Sequence, residues 1–314
     1  MKIFVTGACG YKGSVLIPRL LEEGHQVTGI DVMWFGNHLP EHEDLNVYKA
    51  DVNEPASFNI TGHDAIIHLA SIANDPTGDL NPKLTWETSC LATMRLADDA
   101  ARKGIERFIY ASSGSVYGVK EEENVTENLT LVPISEYNKT KMVSERVLLS
   151  YKDQMIVQIV RPATVCGLSP RMRLDVSVNL LTMAALTKNE ITVFGGDQVR
   201  PNIHIDDIAN LYIFLLDHPD VTGIYNAGFE NISIMDIAKM VSRKLEVPIK
   251  VIPSSDPRSY RVNSDKILKS GFVPQKSVSD AIDEIIAAYQ RGDLKDHPYF
   301  HNLNFMKSEG LAQV

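Results

Sequence analysis

The chain has 314 residues, 44% of them apolar and 23% charged, with a formal net charge of −9. That length serves one large domain or two without a disulfide or metal staple, and three widely spaced cysteines (Cys9, Cys90, Cys166) do not make a secreted framework. The acidic balance disfavours nucleic-acid and membrane partners, and neither a span of about 20 apolar residues nor a signal peptide is legible, so a cytoplasmic protein is expected.

In chain order, Ile3 to Thr6 is an apolar run that stops at Gly7. A helical pattern follows through Val15, Leu16, Leu20 and Leu21, and Gly24 closes it. Gln26 to Ile30 predicts a second strand ending at Asp31. Leu45 to Lys49, Ala65 to Leu69, Arg107 to Ala111 and Gln154 to Val160 predict four more. Stretches rich in Ala, Leu, Met, Lys and Glu at roughly 83–103 and 136–151 predict helices between them. After Arg161-Pro162 the regularity fades. Helices are expected near 175–188, 206–217, 233–245 and 278–290, and short strands at 191–194, 224–226 and 249–252. The tail from His297 onward carries no clear pattern. The alternation predicts an α/β fold with a doubly wound parallel sheet over residues 1–165. Segments around 200–224 return to that sheet, and residues 166–314 make a smaller α/β substrate lobe.

The Gly7-Ala8-Cys9-Gly10-Tyr11-Lys12-Gly13 segment lies between the first strand and the first helix. Its glycines permit a tight turn, close approach of backbone N–H groups to a pyrophosphate, and close helix–sheet packing. Asp31 ends the next strand, about 20 residues on, where an acid binds the ribose hydroxyls of NAD. No Arg or Lys follows closely to receive a 2′-phosphate, so NAD is favoured over NADP and a Rossmann-type site is expected. Lys12 stands where an apolar residue is usual; it is either solvated or directed at the phosphates.

Tyr137 and Lys141 lie four apart on a predicted helix and so share a face. A phenol with an ordinary pKa of about 10 is a poor base, but a nearby ammonium favours its phenolate. The pair can then take a hydroxyl proton as hydride leaves the same carbon. Upstream, the strand Arg107 to Ala111 runs into Ser112-Ser113-Gly114-Ser115-Val116-Tyr117-Gly118, which is not a G-x-S-x-G nucleophile elbow. His68 and His204 occur singly, without ligand spacing, so no metal is expected. The acidic run Glu121 to Glu123 reads as a solvated loop.

These segments resemble the extended short-chain dehydrogenase/reductase family, also called the NAD-dependent epimerase/dehydratase family, in its nucleotide-sugar branch. The Gly motif, Asp31, Asp51-Val52, His68-Leu69-Ala70-Ser71, Ser112 to Gly118, Tyr137/Lys141 and Arg161-Pro162 carry the resemblance. It extends through Arg200 to Asp207 and Tyr225 to Gly228. The resemblance implies that Ser113, Tyr137 and Lys141 are catalytic, and that Lys141 also holds the nicotinamide ribose. It places Gly7, Gly10, Tyr11, Lys12, Gly13, Asp31, Asp51, Val52, Leu69, Ala70 and Ser71 on NAD, the last-strand pair Asp51 and Val52 at adenine. Asn179, Arg200 and Arg258 are expected at the nucleotide diphosphate, where arginine's planar fork suits phosphate oxygens; Arg171, Arg173 and Arg261 are weaker candidates.

Thr164, Ser89 and Cys166 depart from common family residues near the sugar or nicotinamide, so the sugar stays open. Gly114-Ser115 replaces the Asp-Glu pair with which dehydratases eliminate water, which argues against that reaction. The leading expectation is NAD-dependent oxidation of a sugar hydroxyl, at the 4-position, to a keto-sugar. The alternative is a 4-epimerase that recycles NAD in its site, and an NAD-sensing regulator is a third reading of another class. Ser71 to Pro76 and Arg171 to Asp175 resemble a bacterial subgroup tied to surface-polysaccharide sugars, including a GDP-heptose 4-dehydrogenase. A homodimer through the helices at 83–103 and 136–151 is a further implication.

Overall fold

The computed structural model describes residues 1–254 and 259–311. Its first six strands are β1 (Lys2–Thr6), β2 (Gln26–Asp31), β3 (Leu45–Lys49), β4 (Ala65–His68), β5 (Arg107–Ala111) and β6 (Ile156–Pro162). The chain then makes β7 (Thr164–Cys166), β8 (Ile191–Phe194) and β9 (Val199–His204) before β10 (Gly223–Ala227), β11 (Glu230–Ser233) and β12 (Ile249–Ile252). Among the described residues a seven-stranded sheet runs in the order β10-β6-β5-β4-β1-β2-β3. Every pairing in it is parallel. Its central strands are buried on both faces, which explains why β1, β4 and β5 are unbroken apolar runs rather than alternating ones.

Helices cover both faces. They are α1 (Gly13–Glu22), α2 (Asp75–Leu80), α3 (Pro82–Trp86), α4 (Ala92–Arg102), α5 (Glu136–Leu149), α6 (Ser177–Lys188), α7 (Ile205–Asp217), α8 (Ile234–Leu245), α9 (Asp265–Lys269), α10 (Val278–Arg291) and α11 (Asn302–Ser308). One core joins Leu16, Ile17 and Leu20 of α1 to Ile208, Leu211 and Leu215 of α7. The other sets Leu96 and Ala100 of α4 and Leu148 of α5 against Phe108 and Ile159. A smaller lobe stacks α6, α8 and α10 around Val178, Ile237, Val241 and Ile282. It carries the three-stranded sheet β11-β9-β7 and the parallel pair β12-β8.

Three expectations change. The helix expected over 83–103 is interrupted by a wide turn at Glu87–Leu91 between α3 and α4. The strand expected from Gln154 begins at Ile156, because the Gln154 and Met155 amides close the turn after α5 on the Tyr151 carbonyl. The tail is ordered: Phe305 and Met306 of α11 are buried on Ile72, with Trp34 and Phe35 packed alongside. Apolar contact, not periodicity, fixes that segment.

One buried ion pair ties the sheet to the helix that carries Tyr137. Glu145 of α5 accepts from Arg161 Nη2 at 2.7 Å and Nε at 2.9 Å, both side chains being 2% exposed or less. The same carboxylate accepts from the Ser112 hydroxyl at the end of β5, 2.5 Å away. Removing one partner strands the other charge. Glu145→Ala is expected to cost about 3–5 kcal/mol in chemical denaturation; a loss below about 1 kcal/mol would show the pair to be dispensable.

Candidate active site

The C-terminal ends of the parallel strands open onto a cleft of about 1000 Å³ between the sheet and the smaller lobe. Topological switch points of α/β sheets are where such sites form, and the order reverses here between β1 and β4. The loop between β1 and α1 forms one wall. Gly7 has φ +69°, and a Cβ on it would lie 2.7 Å from the Ala70 nitrogen; a Cβ on Gly13 would lie 2.3 Å from the Ala8 carbonyl oxygen. Only glycine fits either place. The amides of Tyr11 and Lys12 make no backbone hydrogen bond, and they precede the N-terminus of α1. That is an anion cradle, and it fits a pyrophosphate. Asp31 at the end of β2 accepts from the Cys9 and Met33 amides at 3.0 and 2.7 Å, and burial raises its pKa. Asp51, Val52, Leu69, Ala70 and Ser71 line the same cleft.

Tyr137 and Lys141 project from α5 into it. Ser135 caps this helix by accepting from the Asn138 amide. The Lys141 ammonium donates to the Ala111 carbonyl at 2.7 Å and stands 5.8 Å from the centre of the Tyr137 ring. Burial and the charge of Lys12 pull the Lys141 pKa well down. The expected lowering of the Tyr137 pKa is not met in the ligand-free cleft. Burial pushes it up to about 12, against smaller opposing effects of a Ser113 hydrogen bond and the Arg173 guanidinium.

The two serines after β5 are distinguished by geometry. Ser112 is buried on Glu145, whereas Ser113 faces Tyr137. Hydrogen-bond directions around Ser113 follow from Asp75. Its carboxylate accepts from Asn138 Nδ2 at 2.8 Å, so Asn138 Oδ1 accepts from the Ser115 hydroxyl. Ser115 must then accept from Ser113, 2.7 Å away. Sequence reading missed Asp75, Ser115 and Asn138. Their signal was weak, because each lies on a different segment.

Across the cleft, Asn179 does not line it. Asn179 is fully buried; its Oδ1 accepts from the Gly167 amide, and its Nδ2 donates to the Tyr11 hydroxyl and the Arg173 carbonyl. It ties the lobe to the Gly loop instead of facing the expected diphosphate. Tyr11 adds to that tie by donating to the Gly167 carbonyl at 2.7 Å. Arg200 lines the cleft, and Arg258 lies outside the described residues. Arg171 is fully buried, stacked 3.8 Å over the Phe35 ring and donating to Asn302 of α11 at 2.5 Å. Asn302 and Met306 thereby roof the cleft beside Asp31, Trp34 and Phe35.

A family model for the NAD dependent epimerase/dehydratase family matches residues 3–228. The chain belongs to that family. Its cofactor is NAD, and it is an enzyme of a group built on that chemistry. A Bacillus subtilis relative named as an uncharacterized UDP-glucose epimerase is 31% identical over 77% of this chain and 81% of its own. A Xenopus tropicalis UDP-glucuronic acid decarboxylase is 26% identical over 92% of this chain and 72% of its own. The solved structure of a Bacillus cereus UDP-glucuronic acid 4-epimerase, in complex with UDP-glucuronic acid and NAD, superimposes with a TM-score of 0.81 at 26% identity, covering 93% of this chain and 100% of the other.

Within this epimerase/dehydratase fold the two histidines have structural partners. His68 bridges the Thr6 and Thr93 hydroxyls at 2.6 and 2.9 Å, and burial holds its pKa near 3. His204 comes together with Asp206 and Glu284, a grouping the sequence did not reveal. Its Nδ1 caps α7 by accepting from the Asp206 amide, Arg19 pairs with Asp206, and Lys276 pairs with Glu284. The ligand atoms are thus already committed. The Asp31 carboxylate predicts cofactor choice. Wild-type protein is expected to bind NAD well above NADP in calorimetry, and Asp31→Asn to weaken NAD by about 1.5–3 kcal/mol while narrowing the gap. Equal binding of both dinucleotides by wild type would contradict the role given to Asp31.

Proposed function

We propose that the protein is a nucleotide-sugar 4-epimerase: it oxidises the 4-hydroxyl of a nucleotide-diphosphate sugar and returns hydride to the opposite face. NAD, when bound, supplies the hydride acceptor. Tyr137 takes the hydroxyl proton, Ser113 fixes the sugar oxygen against it, and Lys141 supplies the positive charge that favours the phenolate. Tyr11, Lys12, Gly7, Gly10 and Gly13 would hold the pyrophosphate, Asp31 the adenosine ribose, and Asp51 and Val52 the adenine. Arg200 and Arg258 would hold the substrate's diphosphate.

The observation that carries the choice of epimerase is the roof over the cofactor side of the cleft. Asn302 is anchored by Arg171 and by its own amide on Asp175, and Asn81 holds the Leu311 carbonyl at 3.0 Å. An epimerase must keep its cofactor between two half-reactions, and such a roof opposes release. A dehydrogenase that discharges a keto-sugar would need that roof to open in every turnover. Gly114-Ser115 still lacks the acid and base for elimination. A homodimer through α4 and α5 belongs to this proposal, with Leu91 and Met94 exposed on that face.

Tyr137→Phe keeps the ring and removes the proton acceptor. It is expected to lower turnover of the active nucleotide-sugar by at least about a thousandfold, within the range of positioned acid–base groups, while NAD affinity stays within about twofold. Turnover at the wild-type rate would exclude Tyr137 as the base. Asn138→Ala, which frees Ser115 and then Ser113, is expected to lower kcat by about tenfold with little change in KM. An unchanged kcat would show that the Asp75-to-Ser113 chain does not orient Ser113.

A further inference from the structure

The reacting end of the cleft carries more positive charge than the proposed chemistry uses. Lys12 lines the cleft half-buried, and among the described residues its ammonium makes no hydrogen bond or ion pair. Burial and the Arg173 guanidinium hold its pKa down to about 8. Arg173, from the segment between β7 and α6, gives Nε to Asp175 at 2.9 Å, but its buried Nη2 has no hydrogen-bond partner. An ammonium and half a guanidinium thus face each other across the cleft without an anion between them. Such a pair costs free energy until an oxyanion joins it.

Position selects which oxyanion. The Lys12 charge acts on Lys141, and the Arg173 charge acts on Tyr137. Both cationic heads therefore stand at the reacting pair, where the sugar ring must lie for its hydroxyl to reach Tyr137. The pyrophosphate cradle is made separately, by the Tyr11 and Lys12 backbone amides. Among the other charged groups nearby, Asp175 is held by Arg173 and Asn74, and Asp75 by Ser135 and Asn138. A neutral hexose would leave Lys12 unpaired.

We infer that Lys12 and Arg173 form a receptor for a carboxylate carried by the substrate sugar, so that the substrate is a nucleotide-linked acidic sugar. This rests on the nucleotide-sugar reading above and narrows it. A planar carboxylate can take one oxygen to the ammonium and the other to the free guanidinium edge. Lys12 thereby sets substrate choice at a place where an apolar residue would be indifferent.

The test is calorimetric binding to the NAD-loaded protein of two matched pairs, UDP-glucose with UDP-glucuronate and GDP-mannose with GDP-mannuronate, and of ADP-ribose to the cofactor-free protein. Wild type is expected to bind the acidic member of a pair at least about tenfold more tightly, the scale of one charge-assisted contact. Lys12→Met should abolish that preference while leaving ADP-ribose affinity within about twofold, and Lys12→Arg should restore part of it. Equal binding of acidic and neutral sugars by wild type would overturn the inference and leave the nucleotide-sugar reading standing. A loss of ADP-ribose affinity in Lys12→Met, with the acid preference intact, would assign the ammonium to the cofactor's diphosphate and overturn it too. If ADP-ribose binds and none of the four sugars does, the nucleotide-sugar reading falls and the inference with it.

Discussion

The buried carboxylate of Glu145 is the point on which the site's geometry depends. It holds the end of β5 through Ser112, β6 through Arg161, and the helix on which it lies itself. That helix places Tyr137 and Lys141 two turns and one turn before Glu145, and Lys141 reaches back to the Ala111 carbonyl at the end of the same strand. Strand ends and helix are thereby fixed to one another at hydrogen-bond distance. A site that must align a phenol, a hydroxyl and a sugar carbon tolerates little play. The ion pair is therefore better understood as a device for position than as a source of net stability, because burying two charges consumes most of what their attraction returns.

Charge is arranged on a different scale from composition. The chain is acidic overall, yet Lys12, Lys141, Arg171, Arg173 and Arg200 all line one cleft or stand beneath it. Burial and mutual repulsion pull Lys12 and Lys141 down, and burial raises Tyr137. The ligand-free cleft thus favours the neutral forms of its catalytic pair. Anionic ligands reverse that balance, since each negative charge brought in favours the ammonium, and an ammonium favours the phenolate. The tie of Tyr11 to Gly167 and Asn179 holds the cradle and the lobe together while this happens.

Much of this was legible in the sequence. The parallel sheet announced itself through unbroken apolar runs ending at glycine or a small polar residue, and the Gly motif with Asp31 fell where the structure puts the cleft. The lobe was harder. β9 carries Arg200, Pro201, Asn202 and His204, and β11 is only four residues long, so neither shows strand composition. α11 is seven residues long and is held by contacts to Ile72 and Phe35, far away in sequence, which no local pattern can reveal. Asn179 illustrates the limit for single residues: its type suits a diphosphate, but its place on α6 turns it to Gly167. The Tyr137–Lys141 spacing gave the shared face correctly and the sign of the free-state pKa shift wrongly, because burial outweighs a lysine that is itself desolvated.

The central claim is that the sugar is oxidised and reduced on one retained cofactor. The most direct measurement is the fate of a deuterium label placed on carbon 4 of the active nucleotide-sugar, followed by mass and by nuclear magnetic resonance after incubation with the NAD-loaded protein. The account predicts an inverted product of unchanged mass with the label still on carbon 4. A product lighter by the label and one hydrogen, with lasting NADH absorbance, would contradict it and make the protein a dehydrogenase.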